Sequence, residues 1–238
     1  MNWIITILGV VVIILLYVLY VNFTSTSSSL ASATSLTITN PDIPVTLSPQ
    51  TSRYAYGIWL YVNSWDNTAF KPIFSRPISS TNTASQVYLY LDSKTTTLFF
   101  NIACATGNNG SDIIVTDNFP LQKWVYFTVS VDNQYTDLYL DGKLVKSIKL
   151  SCMPATPGDA TTAIKLGSMT VAKATVSQAS DVFLAKFVRW TNPLSPQDVW
   201  NNYMAGNGGN VFSNLLAKYG VNVAITSSGV ETSKFKLF

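Results

Sequence analysis

The chain has 238 residues, 47% of them hydrophobic and only 11% charged, with a net charge of +3 and no histidine. Average chains are about a quarter charged; here twelve acids include a single Glu, Glu231. The missing histidine excludes Ser-His-Asp and Cys-His nucleophiles, His bases and His metal ligands, and one Glu leaves little room for the Glu/Asp pair of a retaining glycosidase.

The first strong element is the uncharged run Trp3 to Val21, WIITILGVVVIILLYVLYV. As a helix it is about 28 Å long, close to the hydrocarbon thickness of a bilayer. Trp3 at one end and Tyr17 and Tyr20 at the other stand where interfacial aromatic anchors belong. A cleaved signal peptide would need a basic start, a shorter apolar run and a small-residue site close behind, and none fits. Residues 1–22 are therefore expected to be a transmembrane anchor, with the bilayer as partner through residues 3–21. The first basic side chain is Arg53, so no nearby charge orients it.

Residues 23–50 are mostly Ser, Thr, Ala and Pro with Asp42 as their one charge, a composition expected to form an extended tether. From 51 to 205 the pattern changes to short aromatic and β-branched runs between turns. The expected strands are Tyr54–Val62, Pro72–Phe74, Gln86–Leu91, Thr97–Ala103, Asp112–Val115, Trp124–Val131, Tyr135–Leu140, Lys143–Ile148, Ile164–Gly167 and Val182–Trp190. Val125, Phe127, Val129 and Val131 alternate with Trp124, Tyr126, Thr128 and Ser130, the mark of a half-buried antiparallel strand. Asp141-Gly142 reads as a type I′ hairpin turn. So many short strands predict an all-β sandwich or barrel.

Ser195, Pro196 and Asp198 then read as cap, first residue and dipole-complementing acid of a helix running through Val199, Trp200 and Tyr203 to Gly206. Residues 206–238 form a C-terminal extension: a Gly/Asn link, a short helix Val211–Tyr219 stopped by Gly220, and a strand or tail whose Phe235, Leu237 and Phe238 are candidates for docking on a partner. Cys104 and Cys152 permit one disulfide across about 48 residues, worth about 4 kcal/mol; two buried thiols are the equal alternative. The densest basic cluster is Lys143, Lys146 and Lys149, without an Arg among them, too thin a stripe to neutralise several phosphates. No nucleic-acid partner is expected.

These residues carry a resemblance. Trp124–Asp132 followed by Asp137-Leu138-Tyr139-Leu140-Asp141-Gly142-Lys143-Leu144-Val145 resembles the central hairpin of the laminin-G-like, concanavalin A-like lectin/glucanase superfamily. Tyr56-Gly57-Ile58-Trp59-Leu60-Tyr61-Val62 looks like its early core strand. Ala185–Trp190 with Pro193-Leu194-Ser195-Pro196-Gln197-Asp198-Val199 looks like its final strand and following helix. The resemblance covers roughly residues 51–205 and implies a jelly-roll sandwich of two antiparallel sheets. Glucanase members carry a Glu-x-Asp-x-Glu strand, and no Glu lies in this domain, so the resemblance implies no catalytic residues. Calcium-binding members use Asp at the sheet rim, which makes Asp66, Asp112, Asp117, Asp132 and Asp137 the candidates; each also reads as a turn former. No other cofactor is expected.

The layout of anchor, stalk and domain resembles membrane-anchored minor capsid proteins of large icosahedral DNA viruses of algae and amoebae. It implies a non-enzymatic, single-pass structural protein at the virion's internal membrane, linking it to the shell through capsid or membrane proteins. The alternative is a carbohydrate-binding or adhesion module displayed at a membrane, with Tyr88, Tyr90, Trp59 or Tyr61 as the sugar platform.

Overall fold

The computed structural model describes residues 3–24, 26–79, 84–105, 110–159, 161–171, 174–207, 222–227 and 230–236. In chain order these form α1 (Trp3–Thr24), β1 (Ser27–Ser35), β2 (Arg53–Val62), β3 (Lys71–Pro77), β4 (Ser85–Leu91), β5 (Leu98–Ile102), β6 (Ser111–Thr116), β7 (Trp124–Asp132), β8 (Tyr135–Leu140) and β9 (Lys143–Lys149). They continue with β10 (Lys165–Leu166), β11 (Ser168–Val171), β12 (Ala174–Ser177), β13 (Val182–Trp190), α2 (Pro196–Met204), β14 (Asn222–Ser227) and β15 (Val230–Lys236).

Two antiparallel sheets face each other. One is six-stranded, in the order β1-β13-β2-β7-β8-β9; the other is five-stranded, β10-β3-β4-β5-β6. Period-two alternation sends Tyr54, Tyr56, Ile58 and Leu60 of β2, and Val125, Phe127, Val129 and Val131 of β7, into one core. Val87, Leu89 and Leu91 of β4 and Phe100 of β5 meet them from the other sheet. The expected sandwich is what forms. At the β8–β9 turn Asp141 and Gly142 both take positive φ, 47° and 76°, as a type I′ turn requires. Asp141 Oδ1 also accepts from Tyr126 N at 2.9 Å, tying the turn to β7. Cys104 and Cys152 are joined by a disulfide, Cα atoms 5.7 Å apart.

The expected tether is corrected over most of its length. Ser27–Ser35 is an edge strand paired along β13, Leu36 and Val45 are buried in the core, and residues 47–49 are held from inside. Arg189 donates from Nη2 to Ser48 O at 2.9 Å and from Nη1 to Leu47 O. Arg76 Nη2 donates to Pro49 O. Both guanidiniums are fully buried, and neither pairs with a carboxylate among the described residues. Burial, above all, holds the Arg189 pKa below its ordinary value; the Tyr56 phenol beside it opposes that shift and Arg76 adds to it. Two unpaired buried cations are costly, so the carbonyls of 47–49 must stay where they are.

β11 and β12 form an additional hairpin that no sequence signal announced. α1 extends past the expected Val21 to Thr24. Side chains in it are described for Trp3 and for Ile7–Tyr17, all exposed, Trp3 at 72% and Tyr17 at 67%; that of Tyr20 is not. Among the described residues no helix is long and apolar enough to cross a membrane. The anchor expectation is therefore not shown by the fold. The short helix expected over Val211–Tyr219 lies outside the described residues, as do Leu237 and Phe238. Phe235 lies on β15, paired with Val223 of β14.

Replacing Arg189 with Met removes the donors to the Leu47 and Ser48 carbonyls. The expected loss of unfolding free energy is about 2–4 kcal/mol, read from urea melts; an unchanged midpoint would show that the 47–49 segment needs no cation.

Candidate functional site

The outer face of the six-stranded sheet carries Trp59 and Tyr61 of β2, Trp124 and Tyr126 of β7 and Phe183 of β13. Cross-strand register sets them in rows, Tyr61 against Trp124 and Phe183, then Trp59 against Tyr126 and Ala185. α2 crosses this face. Ser195 caps it, as the sequence predicted, Asp198 completes a capping box with it, and Val199 is buried. Tyr203 stacks on Trp59 with centroids 5.6 Å apart and planes 19° apart. Leu194 N donates to Ser130 Oγ at 2.9 Å, fixing the helix start to β7. Lys186 sits at a bulge in β13 with φ 45°; its Nζ donates to Ala205 O at 3.1 Å and Gly206 O at 2.9 Å, holding the helix end.

Between α2 and β1 this arrangement leaves a groove. One part, about 290 Å³, is lined by Ser27, Ser29, Trp59, Tyr126, Lys186, Val188, Trp190, Asn202 and Ala205. A neighbouring part, about 380 Å³, shares Trp190 and Asn202 and adds Thr26, Asn192, Pro193, Leu194, Asp198 and Asn201. Gly57 lies beneath the Tyr126 and Trp190 side chains. A Cβ there would lie 2.4 Å from Tyr126 Oη and 2.9 Å from the Trp190 ring, so only glycine lets both rings lie over β2. Burial raises the Tyr126 pKa. Flat rings, amides and hydroxyls share one concavity, with a single lysine and an aspartate already used as a cap.

The expected sugar platform is largely elsewhere. Tyr88 and Tyr90, 4% and 7% exposed, lie on the five-stranded sheet in a cluster with Met169 and Val176 of the β11–β12 hairpin. Their hydroxyls donate to the Asp112 carboxylate at 3.3 and 3.1 Å. They are closed off from solvent because that hairpin covers them. Trp59 is under Tyr203 and only lines the groove. Tyr61 is half-buried, with Phe183 beside it 37% exposed. Trp190 and Asn202 were not singled out as site residues; the glycine inside the β2 pattern was the available signal of close approach.

Three of the five calcium candidates have other partners. Asp66 accepts from Thr68 N and Oγ1, Asp132 pairs with Arg53 at 2.8 Å, and Asp112 is held by Tyr88, Tyr90 and Asn101. Among the described residues no three His, Cys, Asp or Glu side chains gather as a metal site would require.

Residues 30–200 match the concanavalin A-like lectin/glucanases superfamily, and the chain belongs to that family. No curated protein sequence matches it. Among solved structures it is similar to the botulinum neurotoxin serotype D ligand binding domain in complex with N-acetylneuraminic acid. That match has TM-score 0.53 and 11% identity over 76% of this chain and 46% of that one. It is also similar to the serotype D binding domain solved alone, with TM-score 0.52 and 13% identity over 71% of this chain and 42% of that one. The chain thus spans less than half the length of either relative, and at such identity the likeness is one of fold.

Two predictions follow from the aromatic faces. Gly57→Ala should lower stability by about 1–3 kcal/mol and alter the near-UV circular dichroism of Trp190; an unperturbed spectrum would contradict the close packing. The Tyr54, Tyr88 and Tyr90 hydroxyls are all held above the ordinary tyrosine value, first by burial, with Asp112 adding to it for the latter two. The unfolded chain ionises near pH 10. The stability these groups lend is whole below that pH and is lost as pH rises past 10 toward their higher folded values. Urea midpoints should hold to about pH 9 and fall above 10, with the last phenolate absorbance arriving only on unfolding. Titration of all twelve tyrosines near 10 in the folded state would contradict it.

Proposed function

We propose that this chain is a carbohydrate-binding or adhesion module, non-enzymatic and held at a membrane surface by α1. The groove is the observation that carries this reading. A sugar ring presents an apolar C–H face and a girdle of hydroxyls, so it calls for a flat ring beside amide and hydroxyl groups. Trp190 supplies the ring, and Asn202, Asn192 and Ser29 the polar partners. A mostly preformed concavity with few polar groups is how such sites are built. Membership in a superfamily that contains lectins supports the reading, as does the fold shared with a domain solved with N-acetylneuraminic acid, although a fold alone does not set a ligand.

The membrane part rests on α1, twenty-two helical residues without a charge, about 33 Å at 1.5 Å per residue. The capsid-linking role suggested by the layout draws no support from the groove or from these relatives, so the carbohydrate reading is preferred.

Screened on an array of neutral and sialylated glycans, the full chain in lipid nanodiscs should bind at least one class. Trp190→Ala and Asn202→Ala should each weaken that binding by about tenfold or more while Phe183→Ala leaves it unchanged. No binding by the intact chain, with and without calcium, would overturn the reading.

A further inference from the structure

The six-stranded sheet has two ends, and the chain enters it at one of them. Antiparallel pairing sets two rows across that end, two residues apart along β2. Ser27 is opposite Trp190, Trp190 opposite Ala55, Arg53 opposite Asp132, Asp132 opposite Tyr135, and Tyr135 opposite Lys149. Six strands at about 4.8 Å make this rim about 24 Å long.

The link from α1 into the rim is very short. α1 ends at Thr24, and Thr26 O already accepts from Thr191 N at 2.9 Å and Thr191 Oγ1 at 3.2 Å. Two residues reach about 7 Å at most. If residues 23–50 were a stalk, the domain could hang about 100 Å away; as strand β1 and the segment held by Arg76 and Arg189, they cannot release it. The rim also has the chemistry of a membrane interface. Tyr135 is 57% exposed, Lys149 Nζ stands 6.0 Å from its ring centroid, and Arg53 pairs with Asp132 2.8 Å away. Exposed tyrosine flanked by Lys and Arg is the pattern found at headgroup level.

We infer that this rim is a lipid-docking surface: the sandwich sits on the bilayer that holds α1, with Tyr135, Lys149 and Arg53 at the headgroups. This rests on the membrane reading of α1 proposed above, and not on any sugar ligand. The opposite end of the β8–β9 hairpin, at Lys143, then points away, about 20 Å from Tyr135 along six residues of strand.

The test uses the full chain in vesicles of phosphatidylcholine and phosphatidylserine. A nitroxide label is placed at Tyr135→Cys or at Lys143→Cys, both exposed positions, and its depth is read from collision with oxygen against a water-soluble nickel chelate. The Tyr135 label should report headgroup depth and the Lys143 label bulk water, and omitting phosphatidylserine should move the Tyr135 label outward. Equal aqueous readings from both labels, with the chain resisting alkaline carbonate extraction, would overturn the docked rim while leaving the anchor standing. Extraction of the chain by carbonate would overturn the anchor and the docked rim together.

Discussion

Two buried guanidiniums, with no carboxylate partner among the described residues, hold this architecture together. Arg76 and Arg189 reach through the sandwich to the carbonyls of residues 47–49. A charge taken out of water must find oxygen, and these carbonyls are what it finds. Holding 47–49 places Leu36 and Val45 in the core and keeps β1 along β13. That pairing in turn builds one wall of the groove and shortens the connection to α1 to two residues. Fold and groove both depend on one internal strap.

The aromatic residues are divided by what covers them. On the five-stranded sheet a small hairpin closes over Tyr88 and Tyr90, and Asp112 takes their hydroxyls, so that face is finished. On the six-stranded sheet α2 covers Trp59 and Tyr126 but stops short of β1, leaving Trp190 beside the amides of Asn192 and Asn202. The glycine at position 57 allows the rings to settle low enough for a groove to exist above them. Polar and flat apolar surfaces thus meet in one place.

Most of the sandwich was legible because its strands bury one face and expose the other. β7 and β4 show this alternation residue by residue, and Asp141-Gly142 marks its turn by the positive φ it demands. The α2 cap was legible for the same reason: Ser195, Pro196 and Asp198 each meet a local requirement. β1 was not. An edge strand of Ser, Ala and Thr is held by backbone bonds and turns few apolar groups inward, so composition alone made it a tether. The roles of Arg76 and Arg189 were invisible too, because a buried arginine looks like a surface one until its partners, 27 and 141–142 residues away for the two, are in place. The groove is likewise a meeting of β1, β13 and α2, elements far apart in sequence, and only Gly57 hinted at it.

The central claim is that the concavity between α2 and β1 receives a saccharide. It is tested most directly by titrating the full chain in nanodiscs with neutral and sialylated oligosaccharides while following tryptophan indole N–H resonances, assigned by single substitution. The account predicts a saturable shift at Trp190, with Trp124 unmoved. Shifts confined to Trp124, or none at any indole across the panel, would contradict it.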